Sequence, residues 1–446
     1  MNEKAVTNEL IERCSRYYNS DLNNKVYSDA VIRNGLVDVA LNHEAVADMH
    51  YHFSEEIDVG DVTNQKKTGR CWMFAALNCV RHGISESLQM KDKNFELSQN
   101  YTFFWDKLEK SNLFLENIIS TIDKDIDDHE VIGLLNSPVE EGGRWGLFAK
   151  LIEKYGVVPK YAMPDSKTSE DSKVLNQILN EKMREYAKVL RKMYRENKSI
   201  EIIRDKKEEM LIDIYNILCH FLGEPPKTFD FEYRDVNGDF HREKDITPLD
   251  FYNKYSTVKP KDYIVLVNYP AEDKPFGKTY SIKYHGNVVD DEPIKYLNVD
   301  INTLKELAIA QIKGGEQVSF GCDVGKMSHR EFGIMDMNLF NYETVLNTKF
   351  DMNKEERLMY RASGSSHVMT FTGVNLVNGK PNRWKVQNSW GEAAGNKGFY
   401  IMSDEWFDEY VLRVAINKKY VSEEILRAYE QEPIILDPWN TLGPVF

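Results

Sequence analysis

Cys71 stands in the run Q-K-K-T-G-R-C-W-M-F-A-A, six residues after Gln65 and at the head of an apolar stretch with helical spacing. Far downstream, His367 opens a β-patterned stretch after R-A-S-G-S-S, and Asn388 stands in N-S-W-G. These four side chains could share one reaction. A cysteine at a helix N-terminus meets the positive end of the macrodipole, which favours thiolate. An imidazole can take the thiol proton, pair with the thiolate and later protonate a leaving amine. The Asn388 amide can accept from the other ring nitrogen and so orient the base, as the third member of a triad does. Trp390 can shield that bond from water. The Gln65 amide and the Cys71 backbone N–H can converge on an oxyanion. Together these groups make a cysteine hydrolase.

Other residues carry weaker signals. A free cysteine is usually a small buried hydrophobe, and Cys14, Cys79, Cys219 and Cys322 are expected to be that. Gly142-Gly143 could present backbone groups to an extended peptide, or simply form a loop. His50-Tyr51-His52 has a metal-like spacing without further ligands nearby in sequence. Gly321, Cys322, Asp323 and Gly325 lack the spacing of a phosphate loop. No metal and no cofactor is expected.

The pattern that must position these groups is a helical half, a helical insertion, a β half and a tail. Residues 1–60 read as a helical arm followed by irregular chain. Residues 61–165 carry Cys71 on a helix from Trp72 to Leu88, then mixed aromatic and charged segments. A second helix, W-G-L-F-A-K-L-I-E-K-Y, stops at Gly156 with Pro159 beyond. Residues 166–260 read as the helical insertion; within it residues 168–220 are strongly charged with apolar residues at helical spacing, which predicts two long surface helices. Phe229, Phe231 and Tyr233 then alternate before Asn237-Gly238, a hairpin signal. Thr247-Pro248 reads as a cap and first helical turn. Residues 261–420 are strand-rich and carry His367 and Asn388. Residues 421–446 read as one last helix and a proline-rich tail.

With 42% hydrophobic residues the 446-residue chain can bury a large core, and no apolar run reaches membrane-spanning length. The N-terminal residues lack the apolar core of a signal peptide. Five scattered cysteines argue against a disulfide framework and for a reducing compartment, so a cytoplasmic location is expected. A net charge of −14 disfavours nucleic acid or an anionic membrane as partner.

Q-x5-C-W-x-F, then E-G-G, S-H-V-M and N-S-W-G, resembles the papain superfamily, and within it the bleomycin hydrolase and bacterial aminopeptidase C branch. His367 lies 296 residues and Asn388 317 residues after Cys71, against roughly 130–150 in a minimal papain. The excess corresponds to the helical insertion. The similarity continues through I-E-K-Y-G-V-V-P-K, F-G-C-D-V-G-K and G-N-K-G-F-Y-I-M, so it covers nearly the whole chain.

The resemblance implies an α+β papain-like fold, with a helical lobe, a β-barrel-like lobe, an inserted helical segment and an N-terminal arm. It implies Cys71 as nucleophile, Gln65 in the oxyanion hole, His367 as base and Asn388 as orienting amide. It further implies a cytosolic homohexamer acting on peptides. In that branch the C-terminal carboxylate lies in the cleft and pairs with the substrate's α-amino group, which makes an aminopeptidase. Phe446 would supply that carboxylate. The tail here, L-D-P-W-N-T-L-G-P-V-F, runs past the family's usual end. An oligoendopeptidase is therefore the alternative within the same chemistry. A non-catalytic scaffold is opposed by the intact Gln65, Cys71, His367 and Asn388, and an acyltransferase would differ only in its acceptor.

Overall fold

In the computed structural model, residues 4–289 and 292–443 are described. The chain opens with an arm of helices, of which α1 (Asn8–Asn19) and α2 (Leu22–Asn34) are capped by the side chains of Thr7 and Asp21. Neither helix buries a residue, and Ile11, Leu22, Val26 and Ile32 are all exposed.

Helix α3 (Cys71–Ser87) is the centre of the helical lobe. All but three of its 17 residues are buried, the mark of a helix surrounded by protein on every side. Helix α4 (Gln99–Ser120) packs beside it, started by Ser98, whose hydroxyl accepts from the Tyr101 amide. The sequence reading found only mixed segments here. The reason is physical: α4 buries Asp106, Lys107, Glu109 and Lys110 among its aromatics, so polarity does not mark its outer face. Helix α5 (Trp145–Tyr155) ends as expected at Gly156, whose φ is +70°.

The insertion contains α6 (Lys173–Arg195) and α7 (Ile200–Leu222). Their charges face outward except for Arg191, which is buried and donates to Thr121 O. Leu175, Leu179, Met183 and Leu190 of one, and Ile203, Met210, Ile214 and Leu218 of the other, join the core of α3 and α4. The predicted hairpin pairs Phe229–Arg234 with Phe240–Ile246 around Asn237-Gly238.

The second half builds a mixed sheet. Its main strands are β1 (Tyr263–Val267), β2 (Thr279–Ile282), β3 (Tyr296–Asn298), β4 (Val318–Cys322), β5 (His367–Val377), β6 (Lys380–Gln387), β7 (Phe399–Ser403), β8 (Val411–Asn417) and β9 (Ile434–Leu436). Their spatial order is β9-β2-β3-β1-β8-β4-β5-β6-β7. Strands β1 and β4 are buried throughout, as strands covered on both faces must be. One face meets the core of α3. The other packs Phe371, Trp384, Trp406 and Phe407 with helix α8 (Ile301–Lys313). After a helix at Glu423–Tyr429, the tail adds β9 parallel to β2 and turns at Pro438-Trp439.

Candidate active site

Helix α3 and strand β5 meet where the two lobes join. Cys71 is the first residue of α3, so its backbone N–H and that of Trp72 have no acceptor within the helix. These two amides and the amide of Val368 are directed at the Cys71 sulfur and favour its charged form. Val368 follows His367, which begins β5. The helix start and the strand start therefore bring thiol and imidazole to the same seam, and Thr370 Oγ1 binds Ala75 O at 3.4 Å one helical turn further in.

Asn388 ends the strand that pairs with β5. Its Oδ1 accepts from His367 Nε2 at 2.8 Å and also from the Ser389 backbone N–H at 2.8 Å. The second contact fixes which way the amide points, so that its oxygen faces the ring. Trp390 stacks on His367 with centroids 4.7 Å apart and covers that bond. The Arg330 guanidinium lies 4.9 Å from the Trp390 ring centre, and Tyr400 meets the same indole edge-on.

Gln65 reaches this seam from the helical lobe. Its backbone N–H donates to Ser389 O at 2.8 Å, and Gly391 N donates back to Thr63 O at 3.1 Å. Its side-chain Oε1 accepts from Ser389 Oγ at 2.7 Å, while Nε2 donates one hydrogen to Thr68 O at 2.6 Å. The second amide hydrogen is the one left for a ligand oxygen. Arg70, fully buried just before Cys71, ties the loop down through Thr68 Oγ1 and the Ser169 carbonyl.

Electrostatics here run against the simple helix-dipole expectation. Burial pushes the Cys71 thiol up to about 11, and the three backbone amides only partly offset it. Burial pushes His367 down to about 4, partly offset by its bond to Asn388. Desolvation disfavours each charged form taken alone. Burial thus favours the neutral form of the thiol and of the imidazole. Cys322 lies behind the thiol, and burial raises it still further.

The two glycines have separate jobs. Gly143 packs on Trp72: a Cβ there would lie 2.5 Å from Cδ2 of the indole. Gly142 has open space where a Cβ would go, and it lines a cavity of about 540 Å³ between α4, residues 282–286 and the tail. Its carbonyl is taken by Lys110 Nζ at 2.8 Å, and Trp72 Nε1 donates to Glu141 O at 3.0 Å. The sequence reading missed Ser389 and Lys110. Ser389 was visible as the S of N-S-W-G; Lys110 had no signal beyond being a lysine on an aromatic helix. Trp439 lines the same cavity, and its carbonyl accepts from Arg361 at 2.9 Å. The tail thus meets the cavity at Pro438 and Trp439; Phe446 lies outside the described residues.

Comparison with known proteins gives consistent relatives. The model of the Peptidase C1-like family matches residues 5–443. Aminopeptidase C of Listeria monocytogenes is 48% identical over 441 residues, covering 99% of each chain. Aminopeptidase W of Lactobacillus delbrueckii subsp. lactis is 41% identical, covering 97% of this chain and 98% of its own. The solved structure of PepW from Lactobacillus rhamnosis HN001 superposes with a TM-score of 0.97 at 44% identity, covering 99% of each chain.

Proposed function

The chain belongs to the Peptidase C1-like family, and from that premise we propose how its site works as a cysteine aminopeptidase. The observation that supports the residue roles is the His367 Nε2–Asn388 Oδ1 bond of 2.8 Å beside a thiol at the start of a helix. Proton transfer from Cys71 to the free ring nitrogen of His367 creates two charges at once. Each then stabilises the other, and the three amides at the sulfur favour the thiolate, so the pair overcomes a burial cost that neither group overcomes alone. The thiolate attacks the carbonyl carbon of the N-terminal residue. The developing oxyanion takes the Cys71 N–H and the second hydrogen of Gln65 Nε2. His367 protonates the departing amine, and water then hydrolyses the acyl-enzyme.

The exo-specificity follows from the tail. A chain that fills the cleft on one side of Cys71 blocks longer peptides there, and a carboxylate from Phe446 would select a free α-ammonium. The cavity-lining Pro438 and Trp439 support this route. We further place the protein in the cytosol as a homohexamer. Five unpaired cysteines support the first. The unburied apolar residues of α1 and α2, which a monomer leaves in water, support the second. Paired substrates test the function: full-length enzyme should cleave a free-amino peptide from its end and leave the N-acetylated copy intact. Equal internal cleavage of both would instead make it an oligoendopeptidase. Light scattering should give a mass several times the 51.9 kDa chain; a monomer would remove the hexamer.

A further inference from the structure

Behind the seam lie two arginines that no carboxylate among the described residues pairs with. Arg413 is on β8, opposite Gly321 of β4, which in turn is opposite Val368 of β5. Residues directly opposite one another in antiparallel strands point to the same face. Arg413 therefore shares a face with Val368, the residue whose amide is directed at the Cys71 sulfur. Adjacent strands are about 4.8 Å apart, which places its Cα about 10 Å from that of Val368. Its side chain runs across Gly321, where a Cβ would lie 2.9 Å from Cγ. The missing side chain at Gly321 is the space the arginine uses.

Arg144 arrives from the opposite lobe. It follows Gly143, which packs on Trp72, the neighbour of Cys71. Its Nη1 donates to Tyr296 Oη at 3.1 Å, and its guanidinium lies 5.3 Å from the centre of that ring. Arg413 is 8% and Arg144 5% exposed. Among the described residues no carboxylate pairs with either, and Arg413 Nε has no hydrogen-bond acceptor. The two cations feel one another: burial, then Arg144, bring Arg413 down to about 9. The imidazole of His285 belongs to the same group of charges. Its Nε2 is buried without a hydrogen-bond partner among the described residues, and burial with Arg144, Arg413 and Lys110 nearby pushes its pKa well below the ordinary imidazole value.

A buried, unpaired guanidinium is strongly destabilising, and a neighbouring cation adds to that cost. In a chain of net charge −14, acidic partners are plentiful, yet none is placed here. An arriving carboxylate would recover that cost by charge-assisted bonds to a planar, fixed donor set. We propose that Arg413 and Arg144 form a carboxylate-binding subsite beside Cys71. The carboxylate has two possible sources, an acidic side chain of the substrate and the C-terminus of this chain. The proposal rests on the peptidase reading only for the word substrate; the binding chemistry stands on the arginines.

The test uses Cys71→Ala protein, so that binding is read without turnover. A six-residue peptide carries one Glu, or one Gln, moved through its first four positions, and affinities are measured by calorimetry. At one position Glu should bind at least about tenfold tighter than Gln, and Arg413→Met should erase that preference. This outcome assigns the site to the substrate. If full-length protein shows no preference, protein lacking residues 444–446 should bind the tripeptide Pro-Val-Phe and not its C-terminal amide, again only with Arg413 present. This outcome assigns the site to the chain's own end. Arg413→Met should hold or raise Tm, because it removes an unpaired charge. No discrimination of acid from amide in either arm overturns the proposal. Wild-type turnover of the Gln peptide, measured alongside, reports on the peptidase reading separately.

Discussion

The first and third turns of helix α3 each bury a cysteine, and they differ in what surrounds it. Cys79 is 4% exposed, and burial raises its thiol well beyond the ordinary range, with only its own backbone N–H opposing and Glu316 adding to the rise. Cys71 is buried too, at 9% exposed, and the three amides directed at it hold it to about 11. The helix interior has spent its N–H groups on carbonyls one turn back; the helix start has not. An imidazole from the opposite lobe completes the difference. Burial alone raises a thiol's pKa; a helix start at a lobe junction adds the amides and the imidazole that the proposed mechanism uses.

The sharpest way to break this contrast is to exchange the effects. Cys71→Ala should abolish hydrolysis of amino-acid arylamides and labelling by iodoacetamide, with the fold intact by circular dichroism. Cys79→Ala should retain activity and lower stability by about 1 kcal/mol, the scale of one buried methylene-sized group. Turnover in clean Cys71→Ala protein would show that the helix start is not the reactive turn. Asn388→Ala comes next. It removes orientation and not a reacting group, and should cost kcat on the order of tens- to thousands-fold, by the logic of a triad's third member.

A third test concerns the charge state of the seam. In Cys71→Ala protein His367 keeps its burial and loses any thiolate partner. Its folded pKa of about 4 lies below the ordinary 6.5. Between those values the unfolded chain binds more protons, so stability must fall as pH drops from about 6.5 to about 4. Tm of Cys71→Ala should therefore fall more steeply across that window than Tm of Cys71→Ala/His367→Gln. Identical slopes would mean that His367 is not held neutral by burial.

Much of this was legible in the sequence because the chemistry sits at element boundaries. Cys71 heads an apolar helix and His367 heads a strand, and both boundaries carry local signals: Gly69 before one, R-A-S-G-S-S before the other. The end of α5 at Gly156 and the Asn237-Gly238 hairpin were readable for the same reason. What stayed hidden was long-range. Helix α4 disguises its buried face with Asp106, Lys107 and Lys110, whose charges are met by carbonyls some thirty residues on, such as Lys110 to Glu140 O at 2.9 Å, and by the Lys110–Asp106 pair one turn apart. The neutral state of Cys71 and His367 was also invisible, since desolvation depends on what covers a group and not on its neighbours in sequence. Arg413 and Arg144, 269 positions apart, meet only because β8 and the loop before α5 line the same seam.

The smallest expected effect separates the two adjacent glycines. Gly142 has room for a methyl group and Gly143 has none, because the Trp72 indole fills that space. Trp72 is 1% exposed and anchored by its bond to Glu141 O, so it cannot turn aside without uncovering the start of α3. Gly143→Ala should then cost about 1–3 kcal/mol, the range for overpacking a dense core. The displaced indole should also lower kcat, since Trp72 supplies one of the three amides at the sulfur. Gly142→Ala should leave stability within about 0.5 kcal/mol, as surface changes usually do. It should change KM alone, because its open side faces the cavity and its carbonyl remains on Lys110. Paired denaturation curves and steady-state kinetics on the two variants measure both. Equal stability losses would mean that the loop, and not the indole, requires glycine.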